Sequence, residues 1–245
     1  MSLSLRNPSF VGSLARAAAA PVAESRVYDF SGSVYTRFFG GGMTATPTEY
    51  TLAAWLRPAQ VLNNAGIFTR SGGDPSSGWS HAMHQNGATN WIAYTYDGSV
   101  KNVYGTTVVA VNTWYHVTVS AKNGGQMRLY VNGAQEGTPS PITTLWGSGN
   151  DWWIAVDNGS TTVNFSGYMC DAAIWNKQLS DAQILSLATG ARNLPPTIEL
   201  ANLLLFCPMN DAPTGGALTG AWTETVGGLT QTRTGQVIGR VSQPP

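Results

Sequence analysis

Thirteen carboxylates and three histidines are the residues of this 245-residue chain that could carry acid–base or metal chemistry. Cleaving a glycosidic bond needs two acids about 5–10 Å apart across the bond. Acids at alternate positions of one strand would supply them, because such side chains share a face. The five glutamates (Glu24, Glu49, Glu136, Glu199, Glu224) stand alone, and no strand-like segment carries acids at i and i+2. There is no Gly-x-Ser-x-Gly elbow and no phosphate-cradling Gly-x-x-x-x-Gly-Lys. Cys170 has no activating base close in sequence. His81 and His84 fall on opposite faces of a strand and so do not converge on a metal. Asp74, Asp97, Asp151, Asp157 and Asn158 sit in turn-like segments, where such side chains bond their own backbone. We therefore expect no catalytic residue, no metal and no cofactor.

The aromatic residues are the stronger lead. Trp79, Trp91 and Tyr94 lie among polar residues, and Trp152 and Trp153 are adjacent. An exposed indole or phenol ring stacks on a sugar or packs into a partner protein, since it is apolar on its face and polar at its tip. Neighbouring residues of a strand point to opposite sides, so Trp152 and Trp153 cannot both face inward. Trp79, Trp91, Tyr94, Trp152 and Trp153 are the expected ligand-binding set. Asn158-Gly-Ser160 and Asn164-Phe-Ser166 fit the glycosylation sequon, which matters only in a secreted eukaryotic product.

The elements that would position these rings are strands. Tyr115, Val117, Val119 and Ala121 alternate with His116, Thr118 and Ser120, a period of two with one apolar face. Asn123-Gly124-Gly125 turns this strand into Met127-Arg-Leu-Tyr-Val131, and Asn132-Gly133 and Asp97-Gly98 are further hairpin turns. Glu49–Arg57, Gly66–Arg70, Trp79–Tyr96, Asp151–Val156, Val163–Trp175 and Leu203–Pro208 read as strands, with weaker signals at Leu218–Trp222 and Val237–Val241. One helix is predicted. Ser180 and Gln183 make a capping box, Leu179 and Ile184 a hydrophobic staple, and Gly190 a left-handed stop.

Composition agrees with a folded β protein. Nine Trp, nine Tyr and seven Phe supply a core, while only 11% of residues are charged against about 25% in ordinary soluble domains. The surface is accordingly Gly/Ser/Thr/Asn-rich. Thirteen basic residues balance thirteen acidic ones without a basic run, so neither nucleic acid nor an acidic membrane is an expected partner. No apolar stretch nears the roughly 18 residues of a membrane span. Pro8, Gly12 and Arg16 interrupt any secretory apolar region at the N-terminus. Cys170 and Cys207 read as buried thiols, with a single bridge left open for an oxidising compartment.

The segments Tyr50-Thr-Leu-Ala-Ala-Trp55-Leu-Arg-Pro58, Trp114-Tyr-His116-Val-Thr-Val and Met127-Arg-Leu-Tyr130-Val-Asn132-Gly133 occur in that order. They are followed by Phe165-Ser-Gly167-Tyr-Met-Cys-Asp171-Ala-Ala-Ile-Trp175-Asn-Lys-Gln-Leu179-Ser180, which leads into the capped helix. This series resembles the laminin-G-like, concanavalin-A-like jelly-roll superfamily over about residues 27–235. The resemblance implies an all-β, two-sheet antiparallel jelly-roll sandwich with one short capped helix and extended terminal arms. The expected organisation is an N-terminal arm (1–26), the sandwich (27–212) and a Gly/Thr-rich C-terminal strand and tail (213–245). The fold hosts sugar binders, protein binders and virion parts alike. With no catalytic set, the first expectation is a structural protein, namely a phage virion decoration or capsid-associated component. It would bind capsid or tail subunits, and further copies of itself, through its arms and edges. The alternative is an extracellular carbohydrate-binding module using exposed Trp residues.

Overall fold

The computed structural model describes residues 24–29, 35–39, 47–71, 79–86, 90–145, 152–157, 160–190, 194–207, 217–223 and 230–242, with side chains for 47–70, 90–145, 152–155, 164–190 and 194–207. The first strands are β1 (Glu24–Asp29), β2 (Tyr35–Phe39), β3 (Glu49–Pro58), β4 (Ala65–Ser71), β5 (Trp79–Asn86), β6 (Asn90–Tyr96), β7 (Val100–Tyr104) and β8 (Tyr115–Lys122). They are followed by β9 (Gln126–Val131), β10 (Ala134–Pro141), β11 (Trp152–Ile154), β12 (Val156–Asp157), β13 (Ser160–Asn164) and β14 (Gly167–Trp175). Helix α1 (Asp181–Thr189) and two single 3-10 turns precede β15 (Leu203–Cys207), β16 (Ala217–Thr223) and β17 (Thr230–Ser242).

The strands form two antiparallel layers. In the first, β10, β9, β8, β3, β14 and β15 pair in that order. In the second, β7, β6, β5, β4, β11, β2 and β17 do so. The layers are joined by hydrogen bonds. One half of β17 pairs with β2, the other half pairs with β1, and β1 continues onto Tyr168 and Met169 of β14. The expected all-β jelly-roll sandwich with one helix is therefore the observed architecture. Residues 1–23 of the expected N-terminal arm lie outside the described residues. Glu24–Arg26 from that arm, Val27–Asp29 from the expected sandwich and the strands of the 213–245 tail are paired into the sheets.

Between the layers lies one apolar core, in which Tyr50, Leu52, Ala54 and Leu56 of β3 meet Tyr115, Val117, Val119 and Ala121 of β8 and Trp91 and Ala93 of β6. The opposite face of the first layer is also buried. Ala53, Tyr130, Ala173, Trp175, Leu203 and Phe206 of that face pack against Leu179, Ile184 and Leu187. A nine-residue helix is too short to persist alone, so α1 exists because it docks here. Its cap is as expected: Ser180 Oγ accepts from Gln183 N (3.3 Å), and Gln183 Oε1 accepts from Ser180 N (2.9 Å). The C-terminus departs from expectation. Gly190 is extended (φ −86°) rather than left-handed, and its N–H donates to Ser186 O. Glycine is needed there for space, since a Cβ would lie 2.6 Å from Leu194 Cδ2 and from Ser186 O.

The predicted turns supply the required positive φ at Gly98 (98°), Asn132 (51°) and Gly133 (81°). The register of β10 against β9 shifts between Glu136 and Ser140. Gly137 in this bulge has φ +67°, and a Cβ there would lie 2.2 Å from Tyr104 O. Gly137→Ala should destabilise the fold by about 2–3 kcal/mol. Urea denaturation should show this as a lower midpoint at unchanged slope.

Candidate functional site

The expected ring residues divide between the core and the outward face of the second layer. Trp91 is fully buried, edge-on to Tyr115 at 5.6 Å. Trp152 is 2% exposed, edge-on to Tyr50 at 6.4 Å, with the Arg70 guanidinium 5.8 Å from its ring. Both rings are committed to the sandwich interior and offer no stacking face, because they occupy the inward phase of their strands. Desolvation pulls the buried Arg70 down to about 10. It also pushes the Tyr50 phenol up, partly offset by a hydrogen bond with Thr95. The side chain of Trp79 lies outside the described residues.

Tyr94 and Trp153 occupy the outward phase. Pairing runs Asn102–Tyr94–Ala82–Thr69–Trp153–Arg37 straight across six strands, from β7 to β2. At about 4.8 Å per strand, Tyr94 and Trp153 stand three strands, or roughly 14 Å, apart on one face. Parallel rows on this face carry Ile92 with Tyr104, and Tyr96 with Val100. Tyr94 is 5% exposed and forms a recessed floor, Trp153 is half-buried, and Tyr104 is 53% exposed. The face thus carries aromatic rings beside the half-buried amide of Asn102, groups that stack on and hydrogen-bond to saccharides, while Thr69 in the same row is fully buried.

Five of the described carboxylates tie segments together instead of converging. Glu136 accepts from Thr106 N (2.8 Å), Thr107 N (2.9 Å) and the Thr107 hydroxyl. Asp97 accepts from Thr143 N (3.1 Å) and pairs with Lys101 (3.6 Å). Glu199 holds Lys177 (2.8 Å), Gln183 (3.0 Å) and Asn202 (3.2 Å), and the Lys177 ammonium holds its carboxyl below the usual range. Asp181 accepts from the Tyr130 hydroxyl at 2.7 Å. Glu49 accepts from Gln178 N at 3.1 Å. Among the described residues, no three His, Cys, Asp or Glu side chains are placed to share a metal ion, and no helix is long and apolar enough to cross a membrane. Asn164 of the second sequon is buried, so its amide is not presented on the folded surface.

A second concave surface was not singled out by sequence. On the outward face of the first layer, beyond the end of α1, Trp55, Trp114 and Cys170 form a separate cluster flanked by Tyr168. A cleft of about 350 Å3 opens there, with Trp55, Trp114, Asn132, Ala188 and Thr189 in its lining. Trp55 sits edge-on to His116 at 5.2 Å. The available signal was phase, since Trp55 and His116 oppose each other across β3 and β8 on the face away from Leu56 and Val117. Cys170 belongs to this outward cluster and Cys207 to the core, so the two thiols lie on different faces of their layer and are not bridged.

With this geometry in place, the comparisons with known proteins are informative. The family model of the concanavalin A-like lectin/glucanases superfamily matches residues 31–185. The chain belongs to that superfamily. No curated protein matches the sequence. Among solved structures, a Bacteroides ovatus protein described as carbohydrate-binding aligns with a TM-score of 0.67 at 18% identity, covering 91% of this chain and 62% of its own. This chain therefore spans less than two thirds of that protein. The SAP-like pentraxin of Limulus polyphemus aligns at 0.55 and 18% identity, covering 67% and 82%. The CBM40 of the Ruminococcus gnavus IT-sialidase, bound to alpha2,3 sialyllactose, aligns at 0.52 and 10% identity, covering 68% and 98%. At these identities the likeness establishes the fold.

His116 gives a pH signature of the first layer's outward face. Burial lowers its pKa from 6.5 to about 3; its Nδ1 lies 3.4 Å from Thr118 Oγ1. The unfolded chain binds a proton that the fold rejects. This contribution to stability is complete above pH 6.5 and is lost as pH falls toward 3, by up to ~1.4 kcal/mol per pH unit. Denaturation midpoints measured from pH 7 to 4 should fall more steeply for the native chain than for His116→Gln; equal slopes would contradict the assignment.

Proposed function

We propose that this protein is a non-catalytic glycan-binding module that holds a saccharide across the outward face of its second layer, with Trp153 as the principal stacking ring. The observation that carries the reading is the in-register row Asn102–Tyr94–Ala82–Thr69–Trp153. It sets aromatic rings and the Asn102 amide on one face of the sheet, as recognition of alternating C–H faces and hydroxyls requires. The superfamily membership and the carbohydrate-binding descriptions of the Bacteroides and Ruminococcus proteins support it. So does the structural use of the described carboxylates. A virion role, the first expectation from the sequence, gains no support from these comparisons.

A glycan array followed by calorimetry on the best hit tests the reading. Trp153→Ala should weaken oligosaccharide binding by about tenfold or more, as expected for a central aromatic contact, with the unfolding midpoint little changed. Absence of any saccharide ligand, or undiminished binding by Trp153→Ala, would overturn it.

A further inference from the structure

The outward face of the first layer is covered unevenly. Helix α1 and the segment after it seal the end containing Ala53, Ala173 and Trp175, and the helix ends at Thr189. Beyond that end the sheet presents Trp55 and Trp114, walled by the last helical turn on one side and the Asn132 turn on the other. The rings are 4% and 9% exposed, so they offer edges and partial faces into a cleft rather than an open platform. At about 350 Å3 the cleft lies at the low end of the ~300–1,000 Å3 range of small-molecule sites. That size suits one or two rings.

Its polar groups are few and specific. Asn132 Oδ1 is taken by the His116 N–H (2.9 Å), and Asn132 N–H donates to His116 O (2.8 Å). The Asn132 amide NH2 is the part left to donate outward. Thr189 Oγ1 donates its proton to Leu185 O (2.9 Å) and keeps its lone pairs for a ligand donor. One donor and one acceptor match a hydroxyl, which needs both. Charge is lacking in the described lining. His116, behind Trp55, is held neutral by burial. The nearby Arg57 is occupied by Asn112 O (3.0 Å) and by the Tyr168 ring at 5.5 Å. An ionic ligand would lose its hydration here without gaining a counter-charge.

We propose that this cleft is a second binding site, on the layer opposite the Trp153 face, which takes a single uncharged pyranose residue. The C–H face of the sugar lies against Trp55 and Trp114, and its hydroxyls meet Asn132 Nδ2 and Thr189 Oγ1. The two sites are independent, and the module is bivalent for glycans when both are filled.

The test uses the full chain with 15N-labelled tryptophan, in which each indole N–H gives its own signal, assigned through Trp→Phe variants. The probes are methyl glucoside, methyl galactoside, methyl mannoside and methyl N-acetylglucosaminide, for which affinities in about the millimolar range are expected of ligands this small. At least one should shift the Trp55 and Trp114 signals saturably while leaving Trp153 in place. Asn132→Ala should weaken that response by about tenfold. Thr189→Arg plugs the cleft from an exposed helix position without removing a core ring, and should abolish the response in a protein of native unfolding midpoint. Trp153→Ala should leave it intact, which separates failure of this site from failure of the oligosaccharide site. Silence of both indoles toward every pyranoside would overturn the proposal. So would loss of the response in Trp153→Ala but not in Thr189→Arg, or saturation by free indole or phenol with no response to any sugar.

Discussion

The first layer has to bury both of its faces, and the rest of the molecule is arranged around that demand. Strand β8 is buried at every position from Tyr115 to Ala121, so His116, Thr118 and Ser120 are shielded as completely as the valines between them. Most polar groups on a sealed strand face are satisfied, although the Ser120 hydroxyl is buried without a partner. Thr51 shows how this is done: its hydroxyl donates to Lys177 O (2.7 Å) and accepts from Leu179 N (3.0 Å). One side chain thus fastens the connection from β14 to the helix onto the start of β3. Ile184 and Leu187 then bring apolar area onto the same surface, each worth about 1.5–3 kcal/mol when fully buried.

Glu199 extends that fastening. It sits at φ +50° and gathers Lys177, Gln183 and Asn202 around one carboxylate. Gln183 in turn completes the capping box with Ser180. The helix start, the loop before it and the turn leading into β15 are therefore one network. The helix itself stops at Thr189, and a cleft opens on the sheet beside its end. The concave surface beside Trp55 and Trp114 is a consequence of where the helix stops.

The two faces that carry recognition groups differ in kind. Across the second layer, strand pairing aligns aromatic and amide side chains into a shallow row, a geometry suited to an extended ligand. Beside the helix, the same residue types enclose a small neutral cavity. The described carboxylates serve as backbone and cation ties, a use that suits a surface with so few charges.

What the sequence determined by itself was local and periodic. Alternation defined β8 and β9, glycine and asparagine turns located their hairpins, and the Ser180–Gln183 pair placed the helix start, because each signal is written within a few residues. Adjacency also required one of Trp152 and Trp153 to face outward, and it is Trp153. Tertiary structure decided which ring faced which layer. A strand's period tells that two faces differ, not which is covered, so Trp91 and Trp152 could be read as exposed when they lie in the core. It likewise decided that Gly190 is extended and that the space a Cβ would need there is taken by Leu194, a residue outside the helix. The cleft at Trp55 and Trp114 was beyond reach of the sequence for the same reason: it joins β3, the approach to β8, the Asn132 turn and the end of α1, four segments that only the packed fold brings together.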